Sequence, residues 1–287
     1  MLGFAGLGLM GRPMAANLCR AGADIAVYNR STAPREELRA FGARAVDDPG
    51  DLFALCDTVI LMLADDPAVD FVLDRGGPGF RRRVAGHLVI NMGTHAPAWS
   101  RRLEADIRAA GGAVVEAPVS GSRLPAESGD LVAMLAGEAE PVERALALLG
   151  PMCRESIVVG TVPSAMAMKL AVNLYLIASV AALAEAVDLA RRLGLDLDLL
   201  NRIVRSGPMA SPVATAKLDM MVSGRFPPQA AIRDVCKNAA LVAAAATGAG
   251  AEAALLGESR RRFEAALAAG KGELDMAAVI TAFGESE

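Results

Sequence analysis

The sequence is poor in aromatic residues, in histidine and in cysteine, and it has no long run of one charge. Aromatics make up 4% of 287 residues, with a single tryptophan, while apolar residues reach 53%. A core of that composition must be built from alanine, leucine and valine, which suits helix-rich α/β proteins, and the length allows two domains. The two histidines, His87 and His95, and the four cysteines, Cys19, Cys56, Cys153 and Cys236, are scattered and contain no CxxC pair. No zinc site is expected from them, and reduced thiols in a cytoplasmic setting are the expectation. Net charge is only −4 and neither end carries a charged tail, so neither nucleic acid nor an anionic membrane is an expected partner. The densest basic run, residues 81–83, has no aromatic interleaved and reads as a solvated loop. A signal peptide is not expected, because the chain opens directly on the strand-like LGFAGLG.

What the chain does have is one long apolar segment, residues 162–194, free of internal glycine and proline after Pro163. Either Ser164 caps it or Pro163 opens its first turn, and Gly194 is a natural stop. A helix of about 30 residues spans about 45 Å. Between Lys169 and Glu185 it is apolar on nearly every face, broken by Asn173, Tyr175 and Ser179. Such a helix is a membrane span or a buried spine. The uncharged run falls short of the roughly 20 residues a bilayer needs and contains an asparagine, so a buried spine is expected. Lys169 and Asn173 stand at i and i+4, on one face. The lysine either snorkels to solvent or is placed for chemistry.

The amino-terminal half reads as alternating strands and helices. A short strand runs straight into GLGLMG, residues 6–11, and Pro13 opens a helix. In that context Gly6 permits a tight turn, Gly8 lets backbone approach a pyrophosphate, and Gly11 allows close helix packing. Leu7, Leu9 and Met10 complete the loop, whose following helix offers its amino end to phosphate. A second strand, residues 24–28, ends in Asn29, Arg30, Ser31 and Thr32. An acidic residue at that point would read the ribose hydroxyls of NAD. None is present, and Arg30 with three polar neighbours suits a 2′-phosphate, so NADP is favoured. Strand 58–63 ends at Leu63, where such sheets bind ligands, and strand 87–91 leads into Thr94 and His95. Thr94 either bonds a ligand or caps the next helix, and His95 reads as a surface-loop histidine without a chemical role. A strand at residues 113–116 precedes a hydroxyl-rich loop, 117–131, suited to holding a carboxylate. After two further strands, at 131–136 and 157–159, the pattern becomes wholly helical.

These segments resemble the β-hydroxyacid dehydrogenases, which include 3-hydroxyisobutyrate dehydrogenase and glyoxylate/succinic semialdehyde reductase. GLGLMGRPMAANL is similar to that family's cofactor signature, EAPVSGSRLPAESGDL to its substrate loop, MKLAVN to its catalytic segment and FPPQAAIRDVCKN to its late segment. The resemblance implies that Lys169 handles the proton at the carbonyl or hydroxyl oxygen. It also implies that Ser120, Gly121 and Ser122 hold the substrate carboxylate with Asn173 beside them. Thr94 would lie near the nicotinamide, and Lys237 would contact substrate or cofactor. Two departures stand out: Asn238 replaces a late aspartate, and Ala230 replaces a pocket phenylalanine of the glyoxylate/succinic semialdehyde reductase branch. The first turns a charge that would orient Lys237 into a neutral amide and the second leaves a roomier site; both bear on the small-aldehyde substrates of that branch rather than on the hydride chemistry.

The expected architecture is α/β: a Rossmann-type doubly wound sheet over residues 1–161 and an all-helical domain over 162–287, joined by a helix at 163–193. The active site is expected in the cleft between them. The expected activity is NADP-dependent interconversion of a β- or γ-hydroxy acid and its semialdehyde or keto acid, in a homodimer or homotetramer. One alternative is an imine reductase-like enzyme, against which Lys169 argues. Another is 6-phosphogluconate-type oxidative decarboxylation, against which the absence of a Lys-x-x-His-Asn motif argues. A third is a catalytically idle NADP-binding protein, suggested by Asn238.

Overall fold

The computed structural model describes residues 1–283 of the chain. It divides into two compact units, residues 1–169 and 170–287, with the boundary inside one long helix.

The first unit opens with β1 (Leu2–Ala5), α1 (Gly11–Arg20), β2 (Ile25–Tyr28), α2 (Ala33–Arg39) and β3 (Arg44–Ala45). It continues through α3 (Pro49–Leu55), β4 (Thr58–Leu61), α4 (Asp66–Leu73), α5 (Phe80–Val84), β5 (Leu88–Asn91), α6 (Pro97–Ala109) and β6 (Ala113–Glu116). The strands from β1 to β6 pair in parallel, in the order β3-β2-β1-β4-β5-β6. From β1 the chain steps outward to β2 and β3, then crosses back from β3 to β4 on the other side of β1, which makes the carboxyl ends of β1 and β4 the switch point where such sheets bind ligands. Helices cover both faces. One apolar layer contains Phe4, Met14, Ile60, Ile90 and Val115, and the other Val59, Val89, Trp99, Leu103 and Val114. That double cover is why the central strands are apolar at nearly every position instead of alternating.

Beyond β6 come β7 (Val119–Ser120), α7 (Arg123–Ser128), β8 (Leu131–Ala136), α8 (Ala139–Leu149) and β9 (Cys153–Gly160). Here β8 runs antiparallel to β6 and β7 and parallel to β9. The expected loop at 117–131 thus contains a helical turn. The strand expected at 157–159 is longer, its exposed edge positions having hidden it from a search for apolar runs.

The solvated loop expected at residues 81–83 is instead part of the helix α5, in which Arg81 and Arg82 are exposed as expected and Arg83 is not. Arg83 is largely buried there, and its Nη1 donates to the carbonyl oxygens of Val72 at 2.7 Å and Phe71 at 3.3 Å. A guanidinium at the carboxyl end of α4 satisfies carbonyls that the helix leaves open.

The long helix, α9 (Ser164–Arg192), starts at Ser164, and Gly194 stops it at φ +69°. Its buried positions, Leu170, Asn173, Ile177, Val180, Ala184 and Val187, recur every three or four residues. Tyr175 and Leu189 stay exposed. The expected spine is therefore buried along one stripe only, as helical periodicity requires when neighbours pack from one side. In the second unit α10 (Leu197–Ser206), α11 (Pro212–Ser223), α12 (Ile232–Gly248) and α13 (Ala254–Ala268) follow. The helical pattern ends in a 3-10 helix, Met276–Ala282. Asp275 organises this unit. Its buried carboxylate accepts from Lys217 Nζ at 2.8 and 2.9 Å and from the backbone amides of Gln229, Ala230 and Ala277.

Candidate active site

At the end of β1 the chain turns through Gly6 at φ +98°, and a side chain there would strike the Met62 carbonyl oxygen at 2.2 Å. Gly11 lies even tighter: a Cβ would meet Gly6 O at 1.9 Å. Gly8 differs from both, since a Cβ there would meet nothing within 4 Å. Two glycines thus close the turn, and the middle one faces open space at the amino end of α1. That is the shape needed to receive a pyrophosphate on backbone N–H groups. Leu9 is exposed and Met10 half-buried beside it.

Asn29, at the end of β2, braces this turn. Its Oδ1 accepts from Leu7 N at 2.9 Å, and its amide donates to Ser31 Oγ at 2.8 Å. The Thr32 hydroxyl accepts from Arg35 at 3.1 Å. Arg30, Ser31 and Thr32 are exposed, which leaves the Arg30 guanidinium open to an anionic partner.

The carboxyl ends of β4 and β5 supply Leu63 and Thr94, both half-buried. His95, expected on the surface, is 1% exposed. Its Nδ1 lies 2.6 Å from Asp66 Oδ1 and its ring stacks on Trp99 at 4.5 Å between centroids. This pair ties the loop after β5 to the start of α4, which follows β4. Nothing in the sequence announced it, because the burial comes from a tryptophan four residues on and an aspartate twenty-nine residues back.

Ser120 ends β7, and Gly121 follows at φ +136°, where a Cβ would press on Leu131 Cδ2 at 2.5 Å. Ser122 is half-buried next to it. The Lys169 side chain is 7% exposed, and burial lowers its pKa to about 8. Among the described residues its ammonium has no hydrogen-bond or ion-pair partner, so the shift is one of desolvation. Asn173, one turn along α9, is also buried, and its Nδ2 lacks a hydrogen-bond partner. That open donor, one helical turn from the buried lysine, can be satisfied by a ligand or by water. Lys237 sits half-buried on α12 in the second unit. Sequence reasoning also passed over Glu116, fully buried at the end of β6. A separate depression of about 530 Å3 near Asp24, Asp57 and Arg144 opens at the amino ends of β1 and β4, the wrong end of the sheet for a dinucleotide.

A parallel switch point with this glycine turn, and a desolvated lysine, define a nicotinamide dinucleotide-dependent oxidoreductase. Residues 1–160 match the family described as the NAD binding domain of 6-phosphogluconate dehydrogenase. Residues 164–283 match the NAD-binding region of NADP-dependent 3-hydroxyisobutyrate dehydrogenase. Glyoxylate/succinic semialdehyde reductase 1 of Arabidopsis thaliana is 32% identical over 98% of this chain and 97% of its own length. The chloroplastic reductase 2 of the same plant is 31% identical over 98% of this chain and 78% of its own. Among solved structures, 3-hydroxyisobutyrate dehydrogenase from Salmonella typhimurium superposes with a TM-score of 0.89 at 26% identity, covering 98% of both chains. The chain belongs to the β-hydroxyacid dehydrogenase family, enzymes that oxidise hydroxy acids or reduce the corresponding semialdehydes with NAD(P).

Proposed function

We propose that this enzyme reduces a small aldehydo- or keto-acid with NADPH, with Lys169 as the proton donor. The observation that carries the reading is Lys169 itself, nearly buried, without a salt-bridge partner among the described residues and with a pKa of about 8. A group of that pKa exchanges a proton readily near neutral pH. A bound nicotinamide dinucleotide supplies or accepts the hydride. As negative charge gathers on the carbonyl oxygen, the Lys169 ammonium stabilises it and delivers the proton. In the oxidative direction the neutral amine takes that proton from the hydroxyl. Asn173 Nδ2 offers a donor on the same helix face, and Ser120, Gly121 and Ser122 hold the substrate carboxylate. Lys237 is assigned to substrate or cofactor through the family resemblance.

The preference for NADP rests on the absence of an acidic residue at the end of β2 and on the exposed Arg30. Leu63 and Thr94 complete the cofactor contacts. Ala230, where a bulkier residue stands in the semialdehyde reductase branch, favours a larger substrate than glyoxylate. We also propose a homo-oligomeric, cytoplasmic enzyme. The second unit leaves Leu189, Leu193, Leu199 and Ile203 half or more exposed, and multi-angle light scattering reads the assembly directly. The test of function is oxidation of NADPH, beside NADH, against a panel of aldehydo- and keto-acids with cyclic imines included. Turnover confined to imines, or none at all with intact NADPH binding, refutes the reading.

A further inference from the structure

Glu116 lies at the carboxyl end of β6 with none of its surface exposed. Its Oε1 accepts a short hydrogen bond from Ser100 Oγ on α6. Its Oε2 accepts from the backbone amides of Ala165 at 3.1 Å and Met166 at 3.2 Å, in the first turn of α9. All three partners are donors, the set that an ionised carboxylate satisfies. A helix start is ordinarily capped by a residue beside it in sequence. This one is capped from forty-nine residues upstream, so the bond joins elements as well as closing a helix.

The elements it joins are those to which the proposed chemistry is assigned. Ser100 sits on α6, directly after the loop carrying Thr94. Glu116 itself comes four residues before Ser120. Lys169 is the i+4 neighbour of Ala165, on the same face and about 6 Å further along the axis. We propose that Glu116 is a positioning residue, whose carboxylate anchors the first turn of α9 to β6 and α6 and thereby fixes the place of the Lys169 ammonium. This rests on the reading of Lys169 as the proton donor.

Burial raises the Glu116 pKa, and the Ser100, Met166 and Ala165 bonds oppose that rise, with Glu104 on α6 adding to it.

Two substitutions in the full chain test the anchor. Glu116→Ala removes all three bonds, and turnover falls on the order of 10²-fold, the scale of a small misplacement of a reacting group, while the Kd for NADPH stays unchanged. Glu116→Gln keeps an oxygen for the helix amides and recovers part of that loss. The residual loss falls on kcat and leaves KM near the wild-type value. A merely structural role would lower the melting temperature without lowering kcat per folded molecule. Should the alanine variant fail to fold, the glutamine variant decides alone. Wild-type kcat and KM in Glu116→Gln overturn the proposal. Lys169→Ala, assayed alongside, keeps the two readings apart: turnover retained there strikes at Lys169, whereas turnover lost there with an unaffected Glu116→Gln strikes only at Glu116.

Discussion

Replacing Lys169 by methionine is expected to make the protein more stable while abolishing its turnover. Burial takes the Lys169 pKa from 10.5 to about 8, and at 1.36 kcal/mol per unit that displacement is roughly 3 kcal/mol of free energy. The unfolded chain holds the proton more tightly than the folded one, so stability rises with pH between the two values. Below about pH 8 the folded protein carries the full cost of a desolvated ammonium. Above about pH 10.5 both states are neutral and the cost is gone. Methionine has a similar length and no charge, so Lys169→Met gains up to about 3 kcal/mol at pH 7, and that gain fades as pH climbs from 8 toward 10.5. Urea unfolding of wild type and variant at pH 7 and pH 10 measures it. A variant that is no more stable than wild type at pH 7, or whose advantage is the same at both pH values, refutes the desolvation argument.

The glycines of the first loop separate folding from binding. Gly8→Ala leaves the melting temperature of the free protein unchanged, because its Cβ meets no atom of the chain, but it raises the Kd for NADPH in a fluorescence titration. Gly11→Ala, by contrast, drives a Cβ onto Gly6 O and destabilises the protein by about 1–3 kcal/mol, seen as an earlier thermal transition without any ligand. Lys217→Met leaves the buried Asp275 carboxylate without its ammonium and lowers stability by about 3–5 kcal/mol, read from the denaturant midpoint. Arg30→Ala weakens NADPH binding more than NADH binding; equal losses would remove Arg30 from the reading of the 2′-phosphate.

Those features that announce themselves locally were legible in the sequence. Gly6, Gly8 and Gly11 could be read because their spacing falls directly between an apolar strand and a helix, a pattern contained in one short stretch of chain. Strands β4 and β5 could be read because burial on both faces leaves an unbroken run of apolar residues. Lys169 stood out as a charge opening an apolar helix. Other features depend on partners far along the chain. Arg83 sits in an arginine run that looks solvated until α4 is folded against it. His95 is buried only because Trp99 and Asp66 close over it, and Glu116 finds its partners 16, 49 and 50 residues away. The 3-10 helix after Asp275 is set by the bonds that carboxylate collects, which no periodicity records.

The central claim is that a desolvated Lys169 delivers the proton. Its most direct test is single-turnover reduction by NADPH with Lys169→Ala, beside the wild-type enzyme followed from pH 6 to pH 10. The account predicts that the wild-type rate falls as pH passes about 8, while the variant binds NADPH normally and shows almost no turnover at any pH. A variant that still reduces substrate at the wild-type rate, or a wild-type profile flat through pH 8, would contradict it.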